Sequence, residues 1–176
     1  VLIVIFLGGT VYIGCTGEKK PSKPGPKPTS EKKEITAPIF QADSAYFFIE
    51  KQVAFGPRVP GTAAHKACGD WMVAQLKSRG ATITEQTTTL KKFDGATIPV
   101  RNIIASFGSD KSNRIMLCAH WDSRPYGDKD KDSNLWKKPI DGANDGGSGV
   151  GVLLEIARHL GSSPTQVGVD LVFFDA

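Results

Sequence analysis

Polar and apolar positions divide this chain into short elements. Ser44 to Phe55 (SAYFFIEKQVAF) reads as a helix, with Asp43 as a possible N-cap. After the rigid loop Gly56-Pro57-Arg58-Val59-Pro60-Gly61, Thr62 caps a second helix running to about Arg79. Its apolar Cys68, Trp71, Met72 and Leu76 share one stripe, and Gly80 ends it. Thr82 to Leu90 alternates as a strand, and Val100 to Phe107 follows as another. Arg114 to Ala119 is short and continuously apolar, which predicts a central strand covered on both faces. Val150 to Leu160 predicts a helix with Ser148 near its N-cap and Gly161 as its stop. Val167 to Phe174 predicts another buried strand. Two helices, two antiparallel strands and a strand–loop–helix–strand unit predict a three-layer α/β/α sandwich around a central mixed β-sheet.

The N-terminal end follows a different pattern. Val1 to Ile13 is apolar throughout, shorter than the roughly 20 residues of a membrane-spanning helix but suited to the core of a signal peptide. Gly14-Cys15 follows at once and resembles a lipoprotein cleavage site, with Cys15 as the lipidated residue; a buried strand with an incidental cysteine is the alternative. Residues 1–15 are thus expected to be a signal or lipoprotein segment. Residues 16–42, rich in Pro, Lys and Ser, are expected to be a disordered tether, because they cannot bury enough apolar surface to offset chain entropy. An exported protein on the periplasmic side, held to a membrane by a lipid anchor, is the corresponding expectation. The globular part is expected over 43–176. Val1 in place of a methionine, and an end directly after a central strand, suggest a chain cut at both ends, with the C-terminal half of the sheet domain missing.

Composition adds exclusions. With 176 residues, 40% hydrophobic and 23% charged, the chain is neither wholly disordered, nor collagenous, nor a multi-span membrane protein. The net charge of +4 looks basic, but Glu18 to Glu34 holds six lysines against three glutamates, a net +3, leaving only +1 elsewhere. A nearly neutral folded part gives no case for nucleic acid as a partner. Three cysteines cannot make a disulfide scaffold; Cys68 and Cys118 read as buried, unpaired thiols.

Candidate chemistry lies in the loops that follow the strands. On an extended strand, positions i and i+2 face the same way, so His120 and Asp122 share a face and Trp121 turns away. Such an aspartate can hold the imidazole and set its tautomer; alternatively, His120 is a surface residue and Asp122 pairs with Arg124. Asp141, Asn144 and Asp145 then cluster among glycines in DGANDGGSG. Carboxylates beside a histidine suit a hard cation or zinc, while Asp145 would equally complement the dipole of the helix that follows. Gly146 to Val150 lacks the last glycine of a nucleophile elbow. The dinucleotide glycine pattern and a phosphate-binding Gly-Lys-Ser/Thr are absent too.

His120-Trp121-Asp122-Ser123, then DGANDGGSG over 141–149, then Asp170-Leu171-Val172-Phe173-Phe174-Asp175-Ala176, resemble the zinc aminopeptidase-like family. Within it the chain is most similar to the bacterial glutaminyl-peptide cyclotransferases (glutaminyl cyclases). The shared features are the Arg58-Val59-Pro60-Gly61 segment, an insertion-like Arg124 to Asp130, and the 25 positions from His120 to Asp145. The resemblance implies that Asp145 is a metal ligand, that Asp122 orients His120, and that His120 supports the site, or binds a second ion in a dinuclear enzyme. It implies one Zn2+ for a cyclase and two for an aminopeptidase. It also implies peptide or protein substrates with N-terminal glutamine, cyclised to pyroglutamate with release of ammonia. The family's acidic pair and last histidine ligand would follow Ala176, so these 176 residues alone are expected to be inactive. A dinuclear aminopeptidase and a non-catalytic binding module on the same fold are the alternatives.

Overall fold

The computed structural model describes residues 37–176. The expectations for residues 1–15, Cys15 included, and for most of the tether lie outside the described residues. The elements are α1 (Ala42–Ala54), α2 (Ala63–Ser78), β1 (Thr82–Lys91), β2 (Thr97–Phe107), β3 (Arg114–His120), a 3-10 turn (Ser133–Leu135), α3 (Gly147–Ser162) and β4 (Gly168–Phe174).

The four strands form one mixed sheet in the order β1-β2-β4-β3. β1 and β2 are an antiparallel pair, β2 runs antiparallel to β4, and β3 lies parallel to β4 with His120 opposite Phe174. Alternation sets the two faces. Ile103, Ala105 and Phe107 of β2 and Val169, Leu171 and Phe173 of β4 turn to one side. There they meet Phe48 of α1, Cys68, Met72 and Leu76 of α2, and Val150, Leu153, Leu154 and Ala157 of α3 in a single apolar core. The mixed α/β sheet is the predicted fold class, and among the described residues the three helices share this face. No helix among them is long and apolar enough to cross a membrane.

Several local expectations need correction. Asp43 lies in the first turn of α1; the N-cap is Gln41, which makes no side-chain cap. α3 begins at Gly147, three residues early, because Gly146 turns the chain with φ +90°. Ser148 does not cap that helix, and its hydroxyl donates to Asn144 O at 2.7 Å. Gly161 does not stop it either: it sits within α3, where a Cβ would meet Arg79 O at 2.6 Å, so the missing side chain allows close approach to the end of α2. β3 is the edge strand of the described sheet, with Ile115, Met116 and Cys118 exposed. A continuous apolar run does not report which of its faces is covered. Cys68 is buried and unpaired as expected, and burial pushes its thiol up to about 12. Thr62 does cap α2, accepting from His65 N at 3.2 Å.

Candidate functional site

β3 delivers His120 at its C-terminal end, and the strand geometry persists for two more residues. Trp121 N donates to Phe174 O at 2.9 Å and Ser123 N to Arg58 O at 3.1 Å. Alternation therefore buries Trp121 completely and leaves His120 and Asp122 together on the opposite side.

His120 Nδ1 lies 3.1 Å from Asp122 Oδ1, and His120 Nε2 lies 3.0 Å from Asp145 Oδ1. Arg124 pairs with Asp128, which removes the alternative in which Asp122 serves Arg124. The imidazole is thus held between two carboxylates from segments 25 positions apart. A neutral ring donates on one side only. With the proton on Nδ1 toward Asp122, the Nε2 lone pair faces the Asp145 carboxylate. That arrangement is complete only with a second proton or a cation between them. Nε2 and Oδ1 are zinc donors by type. The side chains of His120 and Asp145 are 47% and 59% exposed, so an ion can reach them, while that of Asp122 is 19% exposed beside the ring. Among the described residues no group of three or more His, Cys, Asp or Glu converges as a metal shell. The site brings together two side chains of zinc-donor type and a carboxylate against the imidazole.

Asp141 and Asn144, grouped with Asp145 by sequence, take part through their backbone carbonyls, accepting from Arg58 and Ser148. Tight turns make the loop, with Gly147 N donating to Gly142 O at 3.0 Å. Gly146, at φ +90°, has no room for a side chain: a Cβ would meet Asp122 O at 2.8 Å and His120 Cε1 at 3.1 Å. Gly146→Ala is therefore expected to push Asp145 away from His120. Metal affinity should fall about tenfold or more, with a stability loss of about 1–3 kcal/mol, read by chelator competition and urea unfolding.

Two functional features escape sequence reading. The first is Arg58, which is fully buried. Its guanidinium donates from Nε to Trp121 O (3.0 Å), from Nη1 to Asp141 O (2.6 Å) and from Nη2 to Gly142 O (2.7 Å), tying the end of β3 to the loop that carries Asp145. Burial pushes its pKa down, and the nearby Cys68, Asp122 and Asp141 oppose that shift. The sequence marked its segment through the Gly/Pro turns and the family resemblance, but gave the side chain no role. The second is His65, whose Nε2 lies 2.9 Å from Asp175 Oδ1 in the interior; 110 positions separate the two, and nothing local announces the pair. A cleft of about 240 Å³ beside the site is lined by Pro60, Asp122, Ser123, Arg124 and Ala176. A larger one of about 440 Å³ opens elsewhere, between the start of α2 and strands β1 and β2.

Comparison with known proteins follows the same lines. Residues 102–176 match the model of Peptidase family M28. A Zn-dependent exopeptidase from Parabacteroides distasonis superposes with a TM-score of 0.79 at 55% identity, covering 80% of this chain and 48% of that one. Tannerella forsythia glutaminyl cyclase superposes with a TM-score of 0.78 at 52% identity, covering 79% and 48%. The alkaline phosphatase isozyme conversion protein of Escherichia coli is 28% identical over 127 residues, covering 67% of this chain and 37% of that protein. The chain spans about half the length of the solved structures it matches and 37% of that curated relative.

Proposed function

From a peptidase family M28 domain over residues 102–176, we propose that the protein is a zinc-dependent glutaminyl-peptide cyclotransferase. In this reading it converts the N-terminal glutamine of peptides and proteins to pyroglutamate and releases ammonia. The observation that carries it is the His120 imidazole between Asp122 and Asp145. Similarity to the Tannerella forsythia glutaminyl cyclase supports the cyclase branch. So does the Arg58 segment, which sequence resemblance had linked to cyclases and which here braces the site.

In the reaction, the α-amine nitrogen of glutamine bonds to its own γ-carboxamide carbon. The C–N bond to the amide nitrogen breaks, and the proton lost by the amine leaves with ammonia. A bound zinc supplies Lewis-acid polarisation of the γ-carbonyl oxygen. Asp145 offers the anionic oxygen that would hold the ion. Asp122 accepts from Nδ1 and so keeps the Nε2 lone pair of His120 turned toward Asp145. Arg58 keeps the two segments in register, and that fixed geometry is what intramolecular attack demands.

A second reading, a zinc aminopeptidase, is favoured by the likeness to the Parabacteroides distasonis exopeptidase. The two separate on the protein as encoded. The cyclase is expected to hold one zinc per chain and to release ammonia, but no free amino acid, from glutaminyl peptides. Free N-terminal residues without ammonia would establish the peptidase. A protein without zinc and without either product would leave only a binding module.

Export and lipid anchoring through Cys15 belong to the same proposal and rest on the apolar run Val1 to Ile13 before that cysteine. Cys15→Ala is expected to move the protein from the membrane fraction to the soluble one. Unchanged fractionation would refute the anchor.

A further inference from the structure

Under the exposed site lies a buried assembly that none of the chemistry above uses. Trp121, between the two residues that flank it on the open side, is fully buried, and its indole Nε1 donates to Arg101 O at 3.1 Å. The His65 ring lies flat on it, with centroids 4.0 Å apart and planes 16° from parallel. His65 comes from the first turn of α2, where Thr62 caps its backbone N–H. Gly69, one turn on, leaves no gap: a Cβ there would lie 3.0 Å from the indole.

The other edge of His65 meets Asp175, the residue directly after β4. The carboxylate is fully buried and used on both oxygens. Oδ1 faces His65 Nε2 at 2.9 Å, and Oδ2 accepts Arg101 N at 2.7 Å. The Asp175 backbone N–H donates to Asn102 Oδ1 at 3.0 Å. These contacts begin where the regular ladders stop. The β3–β4 register ends at His120 opposite Phe174, and the β2–β4 register ends at Phe173. Past those points, residues 121–123 and 175 would be free to fray. Asp175 replaces the missing ladder to β2, and the carbonyl of its neighbour Phe174 receives Trp121 N. One imidazole therefore fixes both strand ends, one by hydrogen bond and the other by stacking.

We propose that the His65–Asp175 pair is a positioning element of the zinc centre: through Trp121 and the end of β4 it sets the peptide that aims His120 and Asp122. This rests on the reading of His120, Asp122 and Asp145 as that centre. The physical reason for a hydrogen-bonded imidazole–carboxylate pair here, where an apolar contact would fill the space, is direction. Stacking alone lets a ring slide, whereas a carboxylate anchored to the β2 backbone fixes its rotation.

The test separates positioning from mere stability. Removing one partner leaves a buried group unpaired and unfolds the region. The double variant His65→Phe/Asp175→Asn keeps the stack on Trp121 and removes the imidazole–carboxylate hydrogen bond. It is expected to unfold within a few degrees of the wild type, to bind zinc about tenfold or more weakly in chelator competition, and to lose about tenfold in kcat at little cost in KM. His65→Gln, which can still donate to Asp175, is expected to recover most of the zinc affinity. Asp175→Asn alone, isosteric and uncharged, provides the second reading should the double variant not fold, and is expected to weaken zinc in the same direction. Wild-type zinc affinity and kcat in these asparagine variants would overturn the positioning role alone. A wild-type protein that holds no zinc would overturn the reading of the centre itself.

Discussion

On the proposed cyclase function, Asp145→Ala is expected to strip the protein of zinc and to lower kcat/KM for glutaminyl peptides about a thousandfold, roughly 4 kcal/mol of transition-state stabilisation. The size follows from its place. Asp145 presents Oδ1 3.0 Å from His120 Nε2 on a side chain that is 59% exposed, so it carries little of the fold and much of the site. Stability should change by less than about 1 kcal/mol, the loss of a carboxylate near the N-terminus of α3. Asp122→Ala provides the internal comparison. It touches only the far nitrogen of the imidazole, so its loss should cost about 10–100-fold, as for other groups that orient a ligand. The ordering is the sharper prediction. If Asp145→Ala kept its zinc, or cost less than Asp122→Ala, the ion would have to sit elsewhere. Inductively coupled plasma measurement of zinc on both purified variants, beside ammonia-release kinetics, decides it.

Much of this site was legible because strand geometry is simple. Period-2 alternation alone puts His120 and Asp122 on one side and Trp121 on the other, and the structure has them so. Asp145 was different. No spacing argument joins residues 25 positions apart across an irregular loop; family resemblance proposed the link, and the 3.0 Å contact realises it. The start of α3 was misplaced because the signal sought was a side-chain cap, whereas a glycine at positive φ makes the turn. Cys118 was read as covered because an apolar run does not tell an edge strand from a central one. The roles of the Arg58 and His65 side chains were missed for a common reason. Arginine and histidine are surface residues by default, and what overrides the default is a set of backbone carbonyls or a carboxylate brought in from distant segments. Such partners exist only once the chain has folded.

Arg58→Met should be the most damaging single change to the fold around the site. The guanidinium is wholly buried; of the three carbonyls it serves, Trp121 O and Gly142 O are met in buried bonds and Asp141 O in a part-buried one. Methionine fills much of the volume but donates nothing. Gly142 O keeps its second donor, Gly147 N; Trp121 O loses a charged donor without compensation, and the part-buried Asp141 O exchanges one for water. At about 1–3 kcal/mol for a stranded buried acceptor, with a smaller loss at Asp141 O, the variant should lose about 2–4 kcal/mol in urea unfolding. Arg58→Lys discriminates between charge and shape. A single ammonium retains the charge but cannot reach carbonyls on two segments in a planar fork, so it should recover less than half of the loss. The loop should also loosen in both variants, weakening zinc about tenfold or more even at temperatures where the protein remains folded. A lysine variant as stable as the wild type would mean that the buried charge matters and the fork does not. The clamp between β3 and the Asp145 loop would then have to be found in the glycine turns themselves.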